Sequence, residues 1–76
     1  MYVAKREIDL YGDKNSGSEV VWPMISMGEL LSPTGHADDD DNWKHVDYAP
    51  ASGIVLATGW AQADALQETD LTNPLI

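Results

Sequence analysis

The fold class is decided by YVAKREIDLY at residues 2–11 and EVVW at residues 19–22, with GDKNSGS between them. An extended chain separates three charged side chains of the first segment from an apolar face formed by Tyr2, Ala4, Ile8 and Leu10. The glycines, serines, asparagine and aspartate of the connecting stretch favour a tight turn. The two segments therefore predict an antiparallel hairpin, whose second strand is expected to end at Pro23.

Two further strands are predicted in the second half of the chain. Residues 43–48 alternate in polarity, as is typical of a short amphipathic strand. Residues 54–58, IVLAT, are the most apolar run and are expected to form the central strand, which Gly59 ends.

Helical signals are short. Ser26 and Glu29 have the spacing of a capping box, which predicts a helix of one or two turns before Pro33. Residues 60–69 have a helix-favouring composition, and continuation of the preceding strand through Ala61 is the alternative. The expected fold is mainly β or α+β, a small antiparallel sheet with one or two short helices and an extended C-terminal tail.

Length and composition predict one small domain that is folded but weakly stable. Residues 1–70 of the 76 are expected to form a single β-rich domain, and residues 71–76 an extended apolar tail. Val, Ile and Leu total 16 residues, about 21%, just above the composition at which highly charged chains stay disordered. The sequence has no cysteine, no apolar run of membrane-spanning length and no recognisable signal peptide, so neither disulfides nor a membrane span are expected.

Charge restricts the class of partner. The chain has 13 acidic and 4 basic residues and a net charge of −9. Residues 38–76 contain eight acidic residues and one basic residue, so most of the excess lies in the second half. Nucleic acid and anionic membranes are therefore excluded as expected partners, and a basic protein surface is favoured.

An acidic loop is the first candidate site, and its four consecutive aspartates are Asp38, Asp39, Asp40 and Asp41. Adjacent like charges predict an exposed, mobile segment. Flanking His36 and His45 raise the alternative of a weak cation site. A calcium-loop alignment fails, because Trp43 occupies the position of the sharp-turn glycine and Ala49 that of the bidentate glutamate. No cofactor is expected.

Catalytic motifs give no support for an enzyme. His45, Asp47 and Ser52 contain the residue types of a hydrolytic triad, but no nucleophile elbow surrounds the serine. The six glycines form no phosphate-binding motif. The chain is therefore expected to be non-enzymatic.

Large apolar side chains supply the other candidate sites. The three tryptophans, Trp22, Trp43 and Trp60, are expected to be core more than interface. The tail has no charge after Asp70, and its apolar residues are Leu71, Pro74, Leu75 and Ile76. Such a tail packs on its own domain or lies in a groove or along a sheet edge of a neighbouring chain.

The predicted N-terminal hairpin resembles that of small acidic bacteriophage accessory proteins of the virion head, head–tail or decoration type. Those proteins have a glycine in the turn followed by an acidic residue and a valine, and Gly17, Glu19 and Val20 follow that order. The resemblance covers roughly a quarter of the chain. It implies a structural role in a virion and a location in the virion or the host cytoplasm.

Two functional hypotheses follow. In the first, the protein packs on larger subunits of a homo- or hetero-oligomeric particle through its hairpin and its tail. In the second, it is a phage-encoded acidic inhibitor, of the DNA-mimic or anti-CRISPR kind, that presents Asp38–Asp41 to a host nucleic-acid-binding protein.

Overall fold

The computed structural model describes residues 1–50 and 54–69. Within them the chain forms seven short strands and a single 3₁₀ turn, Ala63–Ala65. The strands are β1 (Tyr2–Ala4), β2 (Ile8–Tyr11), β3 (Val20–Ile25), β4 (Leu30–Pro33), β5 (Trp43–Tyr48), β6 (Ala57–Gln62) and β7 (Leu66–Glu68).

The strands form one antiparallel sheet in the order β3-β2-β6-β5-β4-β1-β7. Strands β1 and β2 are four positions apart in this order, a separation of about 19 Å in a flat sheet. The three residues that join them, 5–7, span at most about 14 Å between the strand ends. The same applies to β6 and β7, which residues 63–65 join. The sheet is therefore curled.

The pairing register shows how the sheet closes. Tyr2 pairs with Leu31, and Ile8 pairs with Ile25. Six residues separate these two pairs on each of the paired segments, so the antiparallel register is continuous through the bends. On the other side of this segment, the amide of Lys5 donates to the carbonyl of Ala65 at 2.8 Å and joins the β1–β7 and β2–β6 pairings. Four long segments, residues 2–11, 20–33, 43–48 and 57–68, thus pair in succession, and the last pairs with the first. The result is a small barrel.

The core fills this barrel with small and medium-sized side chains. The largest fully buried ones are Leu10, Ile25, Leu31 and Val46. Around Gly59 the backbones come close together, since a Cβ there would lie 2.8 Å from the carbonyl oxygen of Tyr11. Strand β6 therefore lies against β2 only because this position has no side chain.

The predicted hairpin is confirmed, with two differences. Strands β2 and β3 pair antiparallel, and Ala4, Ile8 and Leu10 are buried on one face as predicted. The first strand is not continuous, because the chain bends at residues 5–7 to pass from one side of the barrel to the other. The second strand does not end at Pro23 but continues to Ile25. The strand predicted at residues 43–48 is confirmed.

The helix predicted from Ser26 and Glu29 is wrong. Their capping hydrogen bond is present, since Glu29 Oε2 accepts the amide of Ser26 at 3.0 Å. Gly28 however has φ +94°, outside the helical region, and its amide donates to the carbonyl of Ala4 at 2.8 Å. The capping contact therefore stabilises a tight turn between β3 and β4, because a local hydrogen bond of this kind does not require a helix beyond it.

The predictions for residues 54–69 are also wrong in part. Ile54 is 58% exposed, and Val55 and Leu56 are exposed as well, so the apolar run is not the central strand. Strand β6 begins only at Ala57, pairs with β2 and β5 on its two sides, and contains Gly59 as an interior residue. The helix over residues 60–69 is wrong and the strand alternative through Ala61 is confirmed, because cross-strand pairing outweighs helix propensity. The tail over residues 71–76 lies outside the described residues.

Candidate interaction surface

Strand β3 lies at one end of the sheet order and pairs with β2. It contains no charged side chain along its length, VVWPMI. An edge strand presents amide and carbonyl groups that are available to a further strand. Among the described strands, β3 is therefore an uncharged template on which another chain can extend the sheet.

The side chains of β3 and of the turn after it are apolar and exposed. Met24 is 69% exposed and Met27 70% exposed, and Val20 and Val21 are 42% and 39% exposed. We call these four residues the β3 surface. Exposed apolar side chains grouped in one segment are typical of a binding surface, and methionine adapts its shape to a partner.

The backbone of β3 is distorted at the centre of this surface. The pairing shifts between Ile8 and Leu10, so Asp9 of β2 faces two residues of β3, Pro23 and Met24. Met24 has φ +59°, a left-handed conformation that costs a non-glycine residue about 1–3 kcal/mol. The Asp9 carboxylate accepts the amide of Met24 at 2.8 Å and holds this bulge in place.

A second exposed apolar segment, Ile54–Leu56, connects to β3 through Tyr48. The ring of Trp22 lies 5.7 Å from the ring of Tyr48, and the amide of Leu56 donates to the carbonyl of Tyr48 at 2.9 Å. The Tyr48 hydroxyl donates to Glu29 Oε1 at 2.8 Å, and this hydrogen bond and burial raise the tyrosine pKa. Tyr48 therefore links the turn after β3 to the start of β6.

The acidic loop is held more firmly than predicted. Asp38 and Asp41 are exposed, but Asp39 and Asp40 are half-buried. The Asp40 carboxylate lies 2.7 Å from the ammonium of Lys14 and also accepts two backbone amides. The hydrogen bond from Lys14 and those amides lower the pKa of Asp40 to about 2, and the same ion pair raises the pKa of Lys14. The Asp39 carboxylate accepts the amide of His45. Two of the four carboxylates thus serve the loop itself.

The two histidines beside the acidic loop, His36 and His45, pack against each other and against Trp60. Their rings lie 4.6 Å apart, and each contacts the ring of Trp60, at 5.0 Å for His36 and 4.8 Å for His45. Nδ1 of His36 accepts the amide of Asp38, and Nδ1 of His45 lies 2.6 Å from the hydroxyl of Thr34. Across residues 1–50 and 54–69, no three His, Asp or Glu side chains are placed to hold a metal ion together.

The residues of the supposed triad have other partners. The carboxylate of Asp47 accepts the hydroxyl of Thr58 at 2.6 Å, and His45 is paired with Thr34. Ser52 lies outside the described residues. Two surface depressions, of about 170 and 200 Å³, are smaller than the 300–1,000 Å³ typical of ligand sites. The described part of the chain does not assemble these groups for hydrolysis.

The tryptophans contribute to packing. Trp60 is buried beside the histidines, and Trp22 packs against the core. Trp43 is half-buried, with its ring 5.9 Å from that of Tyr11 in an edge-to-face contact. Trp60 is therefore buried as expected, but its ring contacts the histidines, whereas Trp22 is the tryptophan that packs against the core cluster.

The β3 surface was missed at the sequence level, although Pro23 was a signal for it. A proline inside an apolar strand favours an edge position, because it has no backbone N–H to donate to a neighbouring strand on its outer side. The predicted contact residues of the tail, Leu71, Pro74, Leu75 and Ile76, lie outside the described residues.

No helix in the described part of the chain has the length and apolar character needed to cross a membrane. No protein-family model matches the chain, and the comparisons with curated proteins and with solved structures give no match.

Proposed function

We propose that this chain is a non-enzymatic binding protein that docks on a larger protein subunit through the β3 surface. The observation that supports this is an uncharged edge strand with exposed Val20, Val21 and Met24. A partner strand added at this edge gains main-chain hydrogen bonds, and its side chains cover the apolar ones.

The bacteriophage setting is part of the same proposal. Its support is the resemblance of the N-terminal hairpin to that of virion accessory proteins, and the hairpin contains β3. In this setting the protein is a component of a capsid or of a head–tail structure. Its tail, with Leu71, Pro74, Leu75 and Ile76, is a second proposed contact with the neighbouring subunit, on the chemistry of an uncharged apolar segment.

An acidic inhibitor is the second candidate function, and its support is the net charge of −9 with Asp38 and Asp41 exposed. Charge mimicry requires carboxylates at fixed positions, and the hydrogen bonds of Asp39 and Asp40 fix this loop. Those same bonds leave fewer free carboxylates than the sequence suggested. Binding of this kind weakens steeply with salt and is lost on Asp38→Asn with Asp41→Asn.

Affinity purification with matched variants tests the first proposal. Val21→Lys places a charge on the β3 surface, and Gln67→Lys places the same charge on exposed β7 at the other end of the sheet order. We expect the native chain and the Gln67→Lys variant to retain a protein subunit, and the Val21→Lys variant not to retain it. Circular dichroism should show that all three chains are folded. Equal retention by the two variants would refute docking at β3.

A deletion of residues 70–76 and the Asp38→Asn, Asp41→Asn variant complete the set. Loss of the subunit on deletion supports the tail as a second contact, and unchanged retention removes the tail from the proposal. If the subunit is lost with the Asp38→Asn, Asp41→Asn variant but retained by Val21→Lys, the result favours the acidic inhibitor over docking at β3.

A further inference from the structure

We infer that the strand docking on β3 has lysine or arginine beside an apolar centre, and that it is not a second copy of this chain. The inference rests on the proposed function and adds the chemistry of the partner. The observation behind it is the sign of the charges that surround the uncharged strand.

Carboxylates are placed at both ends and at the middle of β3. Glu19 immediately precedes the strand and is exposed. The pairing of Ile8 with Ile25 places exposed Glu7 beside the other end, and Asp9 lies opposite the central bulge. Six residues of strand span about 20 Å, which exceeds the Debye length of about 8 Å in physiological salt. Each end therefore attracts a cation largely independently.

Nearby cations are mostly engaged elsewhere. The guanidinium of Arg6 lies 3.3 Å from the carboxylate of Asp64 and from the side-chain oxygen of Gln62. The ammonium of Lys14 is held by Asp40 and by the carbonyl of Asp38. Lys5 is exposed in the bend before β2 and is a single charge against three carboxylates. The field at the edge of β3 is therefore negative.

A second copy meets this field unfavourably. Two-fold pairing of β3 with itself is antiparallel, so the Glu19 end of each strand lies beside the Glu7 end of the other. Glu19 of one copy then lies about two strand spacings, about 10 Å, from Glu7 of the other, and like charges at this distance repel each other at both ends. A basic strand forms opposite-charge pairs at the same two places. The apolar centre of β3 can pack against a second copy of the chain or against a basic strand, so the charges at its ends determine which of the two binds.

Selection from a displayed library of random ten-residue peptides tests the inference. The bait is the full chain, and Val21→Lys is used as counter-bait to remove peptides that do not need the β3 surface. We expect the selected peptides to alternate apolar residues and to have lysine or arginine toward their ends. A synthetic copy of the most frequent peptide should bind about tenfold more weakly at about 500 mM than at about 50 mM salt.

Charge reversal supplies the matched control. Glu7→Lys with Glu19→Lys should weaken the basic peptide by about five- to tenfold. Glu68→Lys, on exposed β7, should leave its affinity unchanged. Selected peptides that need Val21 but show no bias toward lysine or arginine would refute this inference and leave docking at β3 intact. A dimer in solution that Val21→Lys dissociates would refute it in favour of a second copy. Failure to recover any peptide that needs Val21 would count against docking at β3 itself.

Discussion

Replacement of Gly59 by alanine tests the closure of the barrel. An added Cβ would lie 2.8 Å from the carbonyl oxygen of Tyr11 and 3.3 Å from the Cβ of Leu10. Neither atom is the free end of a flexible side chain. Gly59 is also fixed from its other side, because it pairs with Val46 of β5. Strands β2 and β6 must therefore separate to admit the methyl group.

The size of the effect follows from two opposing terms. Forcing extra volume into a packed interior costs about 1–3 kcal/mol. Alanine also reduces the conformational entropy of the unfolded chain, which stabilises the folded protein by about 0.4–1 kcal/mol. The net expectation is a loss of about 1–2 kcal/mol. For a domain of this size, that lowers the melting temperature by about 5–15 °C.

Urea unfolding, followed by tryptophan fluorescence, measures the loss, and Gly12→Ala is the matched control. A Cβ at Gly12 meets the carbonyl oxygen of Glu19 at 3.6 Å, an ordinary contact, and its φ is not positive. We expect Gly12→Ala to be neutral or to stabilise by up to about 1 kcal/mol. Free energies of unfolding within about 0.5 kcal/mol of each other for the two variants would refute the close approach of β2 to β6.

Three further changes test the contacts around the site. The lowered pKa of Asp40 stabilises the folded state above pH 3.8, and this stabilisation is lost as the pH falls toward 2. Urea midpoints measured across this range should therefore change less with pH in Asp40→Asn than in the native chain. Tyr48→Phe removes the hydrogen bond to Glu29 and should lower the free energy of unfolding by about 1 kcal/mol, and an unchanged urea midpoint would contradict that contact. Met24→Asn places a residue that tolerates positive φ in the bulge and should raise that free energy by about 1 kcal/mol, whereas a lower urea midpoint would contradict the strain at Met24.

Parts of the fold that depend on alternation along one strand were predictable. Ala4, Ile8 and Leu10 share a face in any extended chain, and that face is buried. The stretch after Tyr11, GDKNSGS, consists mostly of residues that favour a turn over a helix or a strand. The hairpin therefore follows from local rules, which need no knowledge of the rest of the barrel.

The errors arise where the barrel imposes a requirement that local rules do not contain. Gly59 was expected to end a strand, but it lies inside one because β2 approaches it closely. Ile54 and its neighbours are more apolar than β6, yet the face of β6 that packs in the core is formed by small residues, Ala57, Gly59 and Ala61. Ser26 and Glu29 form their capping contact around a turn, so that pattern indicates a local hydrogen bond and not the structure that follows it.

The candidate site was only partly accessible from the sequence. Pro23 indicates an edge strand, but the exposure of Met24 depends on a bulge opposite Asp9, which is a property of pairing register. Asp40 was counted among free acids because Lys14, 26 positions earlier, approaches it only in the folded chain. Distant charges of this kind cannot be paired from sequence spacing.

The strain at Met24 is not offset by burial of its own side chain. Its conformation costs about 1–3 kcal/mol, a large part of the roughly 4–11 kcal/mol expected for 76 residues. Its side chain is 69% exposed and gains little from burial. The hydrogen bond that the Met24 amide donates to the Asp9 carboxylate maintains the distortion, and the distortion leaves the methionine exposed at an uncharged edge. A partner that covers Met24 supplies the burial that the isolated chain lacks, so the strain is consistent with a surface that binds.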